Sequence, residues 1–305
     1  MRKRLLFEAA SLVCLSLLQA QAQTAPFSVA SLKIENVRFQ RVSKLSSAQQ
    51  RELTKEIRQD TEWPTQHILQ AVADSVRQNV LAAYADHGYW RAKVTVQVVP
   101  QRLLDSAQTV DVVVWALNEG PQYRLRSLTW SGAEAFPPER LNGLIPVRPG
   151  EVLERDKLAA GMEAARHLYA TRGYINYTAI PEMQTDDAHD TASLQIHVDE
   201  GGVFTFEKFD VLGINPTTRE RLLDAWPLRP GDVYASGIVE DFVRQHASLL
   251  PPAGQRDVVC RTMDLSNHTI EFTLDFRAQP LPCAAPPEPE VTSQSLNRLL
   301  PQPQP

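Results

Sequence analysis

Hydrophobic positions along this chain follow two spacings, and the change from one to the other recurs. Between Ile68 and Tyr84 apolar residues return every three or four positions, which predicts an amphipathic helix. From Ala92 to Val98 apolar and polar residues alternate, which predicts a half-buried strand. A short strand over Lys33–Phe39 precedes both, so this part of the chain predicts the order strand, helix, helix, strand, strand.

Helix ends are predicted from capping patterns. Ser47 with Gln50, and Thr217 with Glu220, have the spacing of a capping box, in which side chains satisfy the free N–H groups of the first turn. The second predicted helix of each copy is followed by a glycine that we expect to end it in the left-handed conformation: Gly88, Gly173 and Gly254.

The same order of elements occurs three times. A shift of 81 residues (198 − 117) aligns the segment from Leu117 with the segment from Val198 without a gap. Turn formers and apolar positions match alike, among them Arg148-Pro149-Gly150 with Arg229-Pro230-Gly231. A more divergent copy precedes them at a shift of 85 (173 − 88), where Tyr84-x-x-x-Gly88-Tyr89 matches Tyr169-x-x-x-Gly173-Tyr174. A fixed period of this size indicates an array of supersecondary units.

The predicted fold class is therefore α+β, as a tandem array of three βααββ modules. Each module is expected to hold a three-stranded mixed sheet covered on one face by two helices. The modules span residues 28–119, 121–200 and 202–277, and a longer loop over 100–108 accommodates the extra residues of the first copy. Residues 278–305 form a Pro-rich tail that we expect to be disordered.

The first residues predict export. Three basic residues at positions 2–4 precede an apolar run from Ala9 to Leu18, and an Ala-x-Ala pattern ends at Ala22. These features predict a cleavable signal peptide over residues 1–22 and hence a periplasmic protein. The apolar run is shorter than the roughly 20 residues that span a bilayer, so an uncleaved anchor is the minority alternative.

Composition narrows the function classes. Hydrophobic residues at 43% and charged residues at 22% are typical of a soluble globular protein. Removing the signal takes the net charge from −5 to −7 (−5 − 3 + 1), and the mature chain has no basic block, which argues against nucleic-acid binding. Cys260 and Cys283 remain after cleavage, and one disulfide and two thiols are equally good interpretations.

Motifs that carry enzyme chemistry are missing. The seven histidines include no His-Glu-x-x-His pattern, no cysteine has zinc-ligand spacing, and neither a nucleophile elbow nor a phosphate loop occurs. We therefore predict a non-enzymatic protein without metal, cofactor or small-molecule substrate. The acidic stretch Asp186–Asp190 could hold a divalent ion weakly, but a solvated hairpin turn is the favoured interpretation, as it is for Leu265–His268.

Three tryptophans are predicted to be structural. Trp63 and Trp226 each precede a proline at equivalent turns, and we expect both to fill module cores. Trp115 lies in the apolar run from Val110 to Leu117, which predicts a buried central strand.

These features together resemble a known family. The strand order, the Arg-Pro-Gly-[Glu/Asp]-x-[Leu/Tyr] turn before the second helix and the Tyr-x-x-x-Gly-Tyr turn after it are similar to POTRA domains, over residues 28–277. Those are the periplasmic modules of outer-membrane barrel-assembly proteins and two-partner secretion transporters. Assembly-type members continue into a transmembrane barrel, whereas this sequence stops, so we expect a holding, docking or accessory role with indirect membrane association.

The resemblance implies contact with outer-membrane proteins or assembly-machine subunits, partly by β-augmentation. It places the strand after the second helix at a sheet edge, which makes Arg91–Val98, Tyr174–Ile180 and Val258–Met263 the candidate docking strands. The predicted partner-binding residues are Tyr174, Ile175, Tyr177, Thr178, Val258 and Thr262.

Two alternatives stay open. The tyrosines and isoleucine of the middle copy could instead pack against the neighbouring module. The whole array could be a structural spacer, with its module orientation set by the short linkers Gly120-Pro121 and Gly201-Gly202. An enzyme would need a catalytic cluster formed across modules, for which the sequence gives no sign.

Overall fold

A computed structural model describes residues 32–59, 68–104, 107–251, 259–279, 283 and 292–301. The first module comprises β1 (Leu32–Gln40), α1 (Ser47–Gln59), α2 (Ile68–Ala85), β2 (Lys93–Leu104) and β3 (Ala107–Asn118). The second comprises β4 (Arg124–Ser131), α3 (Pro138–Asn142), α4 (Arg155–Ala170), β5 (Thr178–Asp186) and β6 (Thr191–Asp199). The third comprises β7 (Thr205–Leu212), α5 (Pro216–Ala225), α6 (Ile238–Gln245), β8 (Val259–Asp264) and β9 (Thr269–Asp275), and a short helix α7 (Thr292–Asn297) follows it.

The three sheets share one topology. Their strand orders are β1-β3-β2, β4-β6-β5 and β7-β9-β8, so the last strand of each module lies in the centre. That central strand runs parallel to the first strand and antiparallel to the second. The predicted fold class, an α+β array of three-stranded mixed sheets with two helices each, is confirmed.

Apolar side chains on one face of each sheet form the cores. In β6, Leu194 and Ile196 are buried while the intervening Gln195 is exposed, as a half-buried strand requires. The first and second modules share one continuous apolar cluster, whereas the third has a cluster of its own. This difference recurs at the two junctions between modules.

Both predicted capping boxes are wrong in position. At α1 the pair is Ser46 and Gln49, where each side chain accepts from the other residue's backbone N–H, at 3.3 and 2.6 Å. Adjacent serines and adjacent glutamines fit two registers equally well, so the sequence pattern could not choose between them. At α5 the cap is Asn215, which accepts from Thr218 N at 2.8 Å, because Pro216 occupies the first helical position.

The long loop predicted over 100–108 is mostly strand. β2 continues to Leu104 and β3 begins at Ala107, and a register shift between Pro100 and Leu103 absorbs the irregularity. Proline is tolerated there because β2 is an edge strand. The extra residues of the first copy therefore lengthen its hairpin.

The tryptophan predictions have different outcomes. Trp226 fills the third core and stacks on Phe209 with ring centroids 3.9 Å apart, as predicted. Trp115 does lie in the central strand, but on the face away from the helices, where it is only partly buried and lines a shallow cavity with Gln40 and Thr95. Side chains alternate between the two faces along a strand. Because Val114 is buried on the helix side, the adjacent Trp115 lies on the other face. Trp63 lies outside the described residues.

Several other predictions can be placed. The turns after β5 and β8 are hairpin turns, with Asp190 and His268 at φ 52°. The signal peptide over 1–22 and Gly254 lie outside the described residues. Within the described ranges, no helix combines the length and apolar character needed to cross a membrane.

Candidate functional site

Strands β2, β5 and β8 each lie at the edge of their sheet, where the resemblance placed the docking strands. In the middle module, β5 pairs with β6 from Thr178 opposite Asp199 to Asp186 opposite Thr191. Alternate β5 side chains, among them Ile180 and Glu182, are exposed on the face away from the helices. An edge of this kind accepts an added strand through main-chain hydrogen bonds.

The predicted contact residues of the middle module lie mostly before β5. Thr178 is the first residue of the strand and is partly buried. Tyr177 is 3% exposed, and its ring stacks on Tyr169 at 4.3 Å. Ile175 packs against the core of the third module, and Tyr174 meets the Tyr169 ring edge-on at 5.8 Å. Ile175 thus packs across the junction, as the alternative had it, whereas Tyr174 and Tyr177 belong to the apolar cluster of their own module.

The third module offers a different edge. In β8, Val259 is 44% exposed and Thr262 is exposed, while Val258 lies outside the described residues. The edge strands β2 and β5 contain Pro100 and Pro181, whereas β8 contains no proline. Because proline lacks an N–H, β8 has the more continuous row of backbone donors.

A disulfide joins Cys260 of β8 to Cys283, with Cα atoms 5.4 Å apart. Cys260 lies opposite Thr273 in the β8–β9 ladder, one register position away from the buried Phe272. The bond therefore lies on the face of the third sheet that is turned away from its helices. It fixes the chain that follows the module to this face.

Part of that following chain folds back onto the middle module. Residues Thr292–Pro301, here named the return segment, begin with α7, which packs against α4 and β5. Leu296 and Leu300 are buried at 0% and 2% exposure. The prediction of a disordered tail is wrong for this stretch, since Leu296 in α7 and Leu300 in the turn after it anchor the segment in the apolar cluster. The proline-rich composition around it concealed these anchors.

Each junction between modules is built on a glycine. Tyr123 N donates to Gly88 O at 2.9 Å, and the repeat-equivalent Phe204 N donates to Gly173 O at 2.9 Å. Both glycines end helices with φ of +80° and +86°, as predicted. A Cβ at Gly88 would lie 2.6 Å from Val152 Cγ1, so only glycine admits the next module this closely.

Each Arg-Pro-Gly turn is followed by the valine that packs on a junction glycine, Val152 on Gly88 and Val233 on Gly173. In the second module, Glu151 holds the turn by accepting from Arg148 N at 2.8 Å, and Asp232 accepts from Arg229 N at 2.7 Å in the third. The turn then pairs with the start of the module's first strand, through Leu153 N to Tyr123 O at 2.9 Å. This explains why the motif continues with an acidic residue.

The first junction carries two further contacts. The indole N–H of Trp90, a fully buried side chain, donates to Leu153 O at 2.6 Å. Arg155 lies 3.5 Å from Asp86 across the junction. Burial raises the pKa of Asp86, and the Arg155 guanidinium opposes that rise. The second junction has Ile175, Thr171 and Ser236 at the equivalent positions, and none of these can form the same pair.

In each of the first two modules, a glutamate just after the last strand accepts hydrogen bonds from the loop after the first strand and from a helix tyrosine. We call this arrangement the carboxylate clamp. Glu119 accepts from Ser43 N at 2.8 Å, Lys44 N at 2.8 Å and Tyr84 OH at 2.7 Å. Burial pushes the pKa of Glu119 upward, but a hydrogen bond from the Ser43 hydroxyl together with these three outweighs it and holds the pKa below its ordinary value. Burial, followed by the hydrogen bond to Glu119, raises the pKa of Tyr84. Glu200 repeats the arrangement with Glu134 N, Ala135 N and Tyr169 OH.

The third module replaces this clamp with an apolar pair. By strand register its equivalents of the tyrosine and glutamate are Leu250 and Ala278, and Leu250 belongs to the third apolar cluster. The two positions have changed together, so no carboxylate faces the leucine. Sequence reasoning missed the clamp, although the paired change at these spacings was the signal that would have revealed it.

The acidic turn after β5 is a hydrogen-bonded hairpin. Asp186 accepts from Ala188 N and from His189 Nδ1, at 3.2 and 2.8 Å. Tyr123 OH donates to Asp187 at 2.6 Å, and burial together with this bond raises the pKa of Tyr123 to about 12. Among the described residues, no three His, Cys, Asp or Glu side chains come together in a way that would hold a metal ion.

Comparison with known proteins gives one consistent group. The POTRA family, described as a surface antigen variable number repeat, matches residues 123–201. A Treponema pallidum (strain Nichols) protein whose name describes outer membrane protein assembly is 26% identical over 63% of this chain and 25% of its own length. Outer membrane protein assembly factor BamA of Buchnera aphidicola is 26% identical over 46% of this chain and 22% of its own length. This chain thus spans about a quarter of the length of these relatives.

Among solved structures, POTRA domains 3 to 5 of Haemophilus influenzae BamA have the same fold. They superimpose with a TM-score of 0.56 at 22% identity, over 80% of this chain and 96% of that one. The superposition covers an array of consecutive modules, which is more than the family match alone includes.

Proposed function

Because the second module is a POTRA domain and the array around it shares the fold of consecutive POTRA domains, we propose that this protein is a periplasmic scaffold that binds polypeptides during outer-membrane protein assembly or transport. The names of its two curated relatives, both outer-membrane assembly factors, support this role. The predicted signal peptide supports the periplasmic location. The role is non-enzymatic, since POTRA domains act as scaffolds.

The observation that carries the proposal is the edge strand in every module. Strands β2, β5 and β8 are edges, and each has exposed side chains on the face away from the helices. An extended partner segment would pair with such an edge through main-chain hydrogen bonds and place alternate side chains on either face. Exposed Ile180 and Val259 would add apolar contact at two of these edges.

A spacer function has one observation in its favour. The first two modules share a continuous core across their junction, which suits a rigid rod that sets distance. The spacer needs no partner at the edge strands, so contact with partners at those strands separates the two functions.

A photo-crosslinking experiment in the native envelope makes that separation. The photoreactive residue replaces Gln97 in β2, Thr178 or Glu182 in β5, or Thr262 in β8. The matched control is Glu220, an exposed residue of helix α5. We expect adducts with outer-membrane proteins or assembly subunits from at least one edge position and none from the control. Absence of edge adducts, or equal adducts from Glu220, would support the spacer instead.

A further inference from the structure

The return segment lies in a groove of the middle module whose outer wall is an edge strand. We propose that the groove between α4 and β5 is a binding site for a short helical segment with one leucine in its last turn and a second leucine in the turn that follows, and that the return segment is its resident, displaceable ligand. This deepens the proposed function, because a partner that docks at β5 with such a helix would have to displace the segment.

Apolar contact defines the groove. Leu296 and Leu300 enter the same cluster as Leu158 and Met162 of α4. On the other wall, Met183 of β5 packs against that cluster. Leu296 lies in the last turn of α7 and Leu300 in the turn that follows it, so the helix end and the next turn each supply one apolar anchor.

Polar contact fixes where the helix lies. Arg155 donates to Asn297 Oδ1 at 3.2 Å while its guanidinium also faces Asp86 at 3.5 Å. The Arg155 side chain is only 16% exposed, so this contact lies within the protein. A helix shifted by one turn would lose the asparagine at this place. The groove therefore selects a leucine pair with a polar residue directly after the first leucine.

The segment has the properties of a displaceable ligand. α7 contains six residues, and helices of this length are not stable alone in water, so it is helical only while docked. Its buried anchor consists of Ser295, Leu296 and Leu300. Such a small anchor must order a whole stretch of chain, which leaves the docked state open to competition.

The disulfide keeps the segment close to its groove. Cys283 is bonded to Cys260 of β8, and eight residues (284–291) lie between Cys283 and the first residue of α7. A short tether converts docking into an intramolecular step with an effective concentration in the millimolar range. A weak anchor can then remain docked and still yield to a partner that has more contacts.

The test uses a labelled synthetic peptide of residues 290–305 and the full chain. In the chain variant Leu296→Asp with Leu300→Asp, the resident segment loses its anchors and leaves the groove vacant. We expect the peptide to bind this variant at least ten-fold more tightly than the wild-type chain, where the tethered segment competes. A peptide carrying the same two aspartates is the control, and it should bind neither chain.

Equal affinity for both chains, or no binding to a folded variant, would overturn the proposal. Should the double variant misfold by circular dichroism, Asn297→Ala keeps both leucines and removes the hydrogen bond to Arg155. It should bind the peptide more tightly than wild type by a smaller factor, and no change would contradict the groove assignment. Edge-strand adducts without peptide binding would overturn this inference alone, whereas peptide binding without adducts would overturn only the proposed function.

Discussion

The two junctions between modules have the same frame and differ in what reinforces it. At both, a left-handed glycine accepts a hydrogen bond from the first aromatic residue of the next module, and a valine packs on the glycine. At the first junction the valine is partly buried, whereas Val233 at the second is 49% exposed. Only the first has the buried indole of Trp90 and the ion pair of Arg155. The repeated residues give both junctions the same backbone hydrogen bond and valine contact, and the side chains of Trp90, Asp86 and Arg155 add contacts at the first junction.

This difference suggests a division of labour. The first two modules, with the return segment bonded to Arg155, form one packed body. The third joins that body through backbone contacts and Ile175, and through the disulfide that links β8 to the chain leading into the return segment. A scaffold that must bring separate edge strands to one partner benefits from one fixed and one adjustable connection. Motions of this kind are expected wherever an interface between domains is small.

Loss of the indole should have the largest effect. Trp90→Ala removes a fully buried side chain and should lower the free energy of unfolding by about 3–5 kcal/mol. The repeat-equivalent Ile175→Ala should cost less, because Ile175 is only partly buried. Urea unfolding followed by circular dichroism measures both. Equal losses would contradict the asymmetry of the junctions.

Loss of the arginine comes next. Arg155→Ala leaves the partly buried Asp86 without its cation and removes the hydrogen bond to Asn297, which should cost about 1–2 kcal/mol. Arg148→Ala, at an exposed turn of the same module, is the matched control and should cost much less. The same urea titration reports both. A loss no larger than that of the control would mean that the ion pair does not reinforce the junction.

The carboxylate clamp before the first linker should make stability depend on pH. The pKa of Glu119 is lower in the folded protein than in the unfolded chain, so its contribution is present above the unfolded value and fades as pH falls through the folded one. Tyr84→Phe, which removes one hydrogen bond to Glu119, should cost about 1 kcal/mol at neutral pH. The gap between wild type and Glu119→Gln should narrow below about pH 4.5. A gap that is constant from pH 7 to pH 3 would contradict the clamp.

Transplanting the ion pair should give the smallest effect. Thr171→Asp with Ser236→Arg places an acid and a base at the positions equivalent to Asp86 and Arg155. Both positions are exposed, so the gain should be below about 1 kcal/mol and should shrink in high salt. Thermal unfolding at low and high salt tests this. Destabilisation would indicate that the two junctions differ in backbone placement as well as in side chains.

Sequence alone predicted the array because repetition made each signal count three times. The order of elements and the left-handed Gly88 and Gly173 come from local chemistry that leaves a mark in the sequence, whereas the edge strands were predicted from the resemblance to POTRA domains. The packing of Ile175 across the second junction was foreseen only as an alternative, because an apolar residue beside an edge fits both a partner and a neighbouring module.

The return segment could not be predicted for a different reason. Its helix exists only through contact with a groove made by residues more than a hundred positions earlier, such as Leu158. No local pattern records such a partner, and the surrounding prolines indicated disorder. The capping residues Ser46 and Asn215 were missed more narrowly, because neighbouring serines and threonines offer competing registers.

Distance distributions across the two junctions test the central claim, that one is fixed and the other adjustable, most directly. Spin labels at Glu56 and Glu139 report the first junction, and labels at Glu139 and Glu220 report the second; all three residues are exposed on helices. Pulsed electron paramagnetic resonance should give a narrow distribution for the first pair and a clearly broader one for the second. Equal widths, or a broader first distribution, would contradict the account.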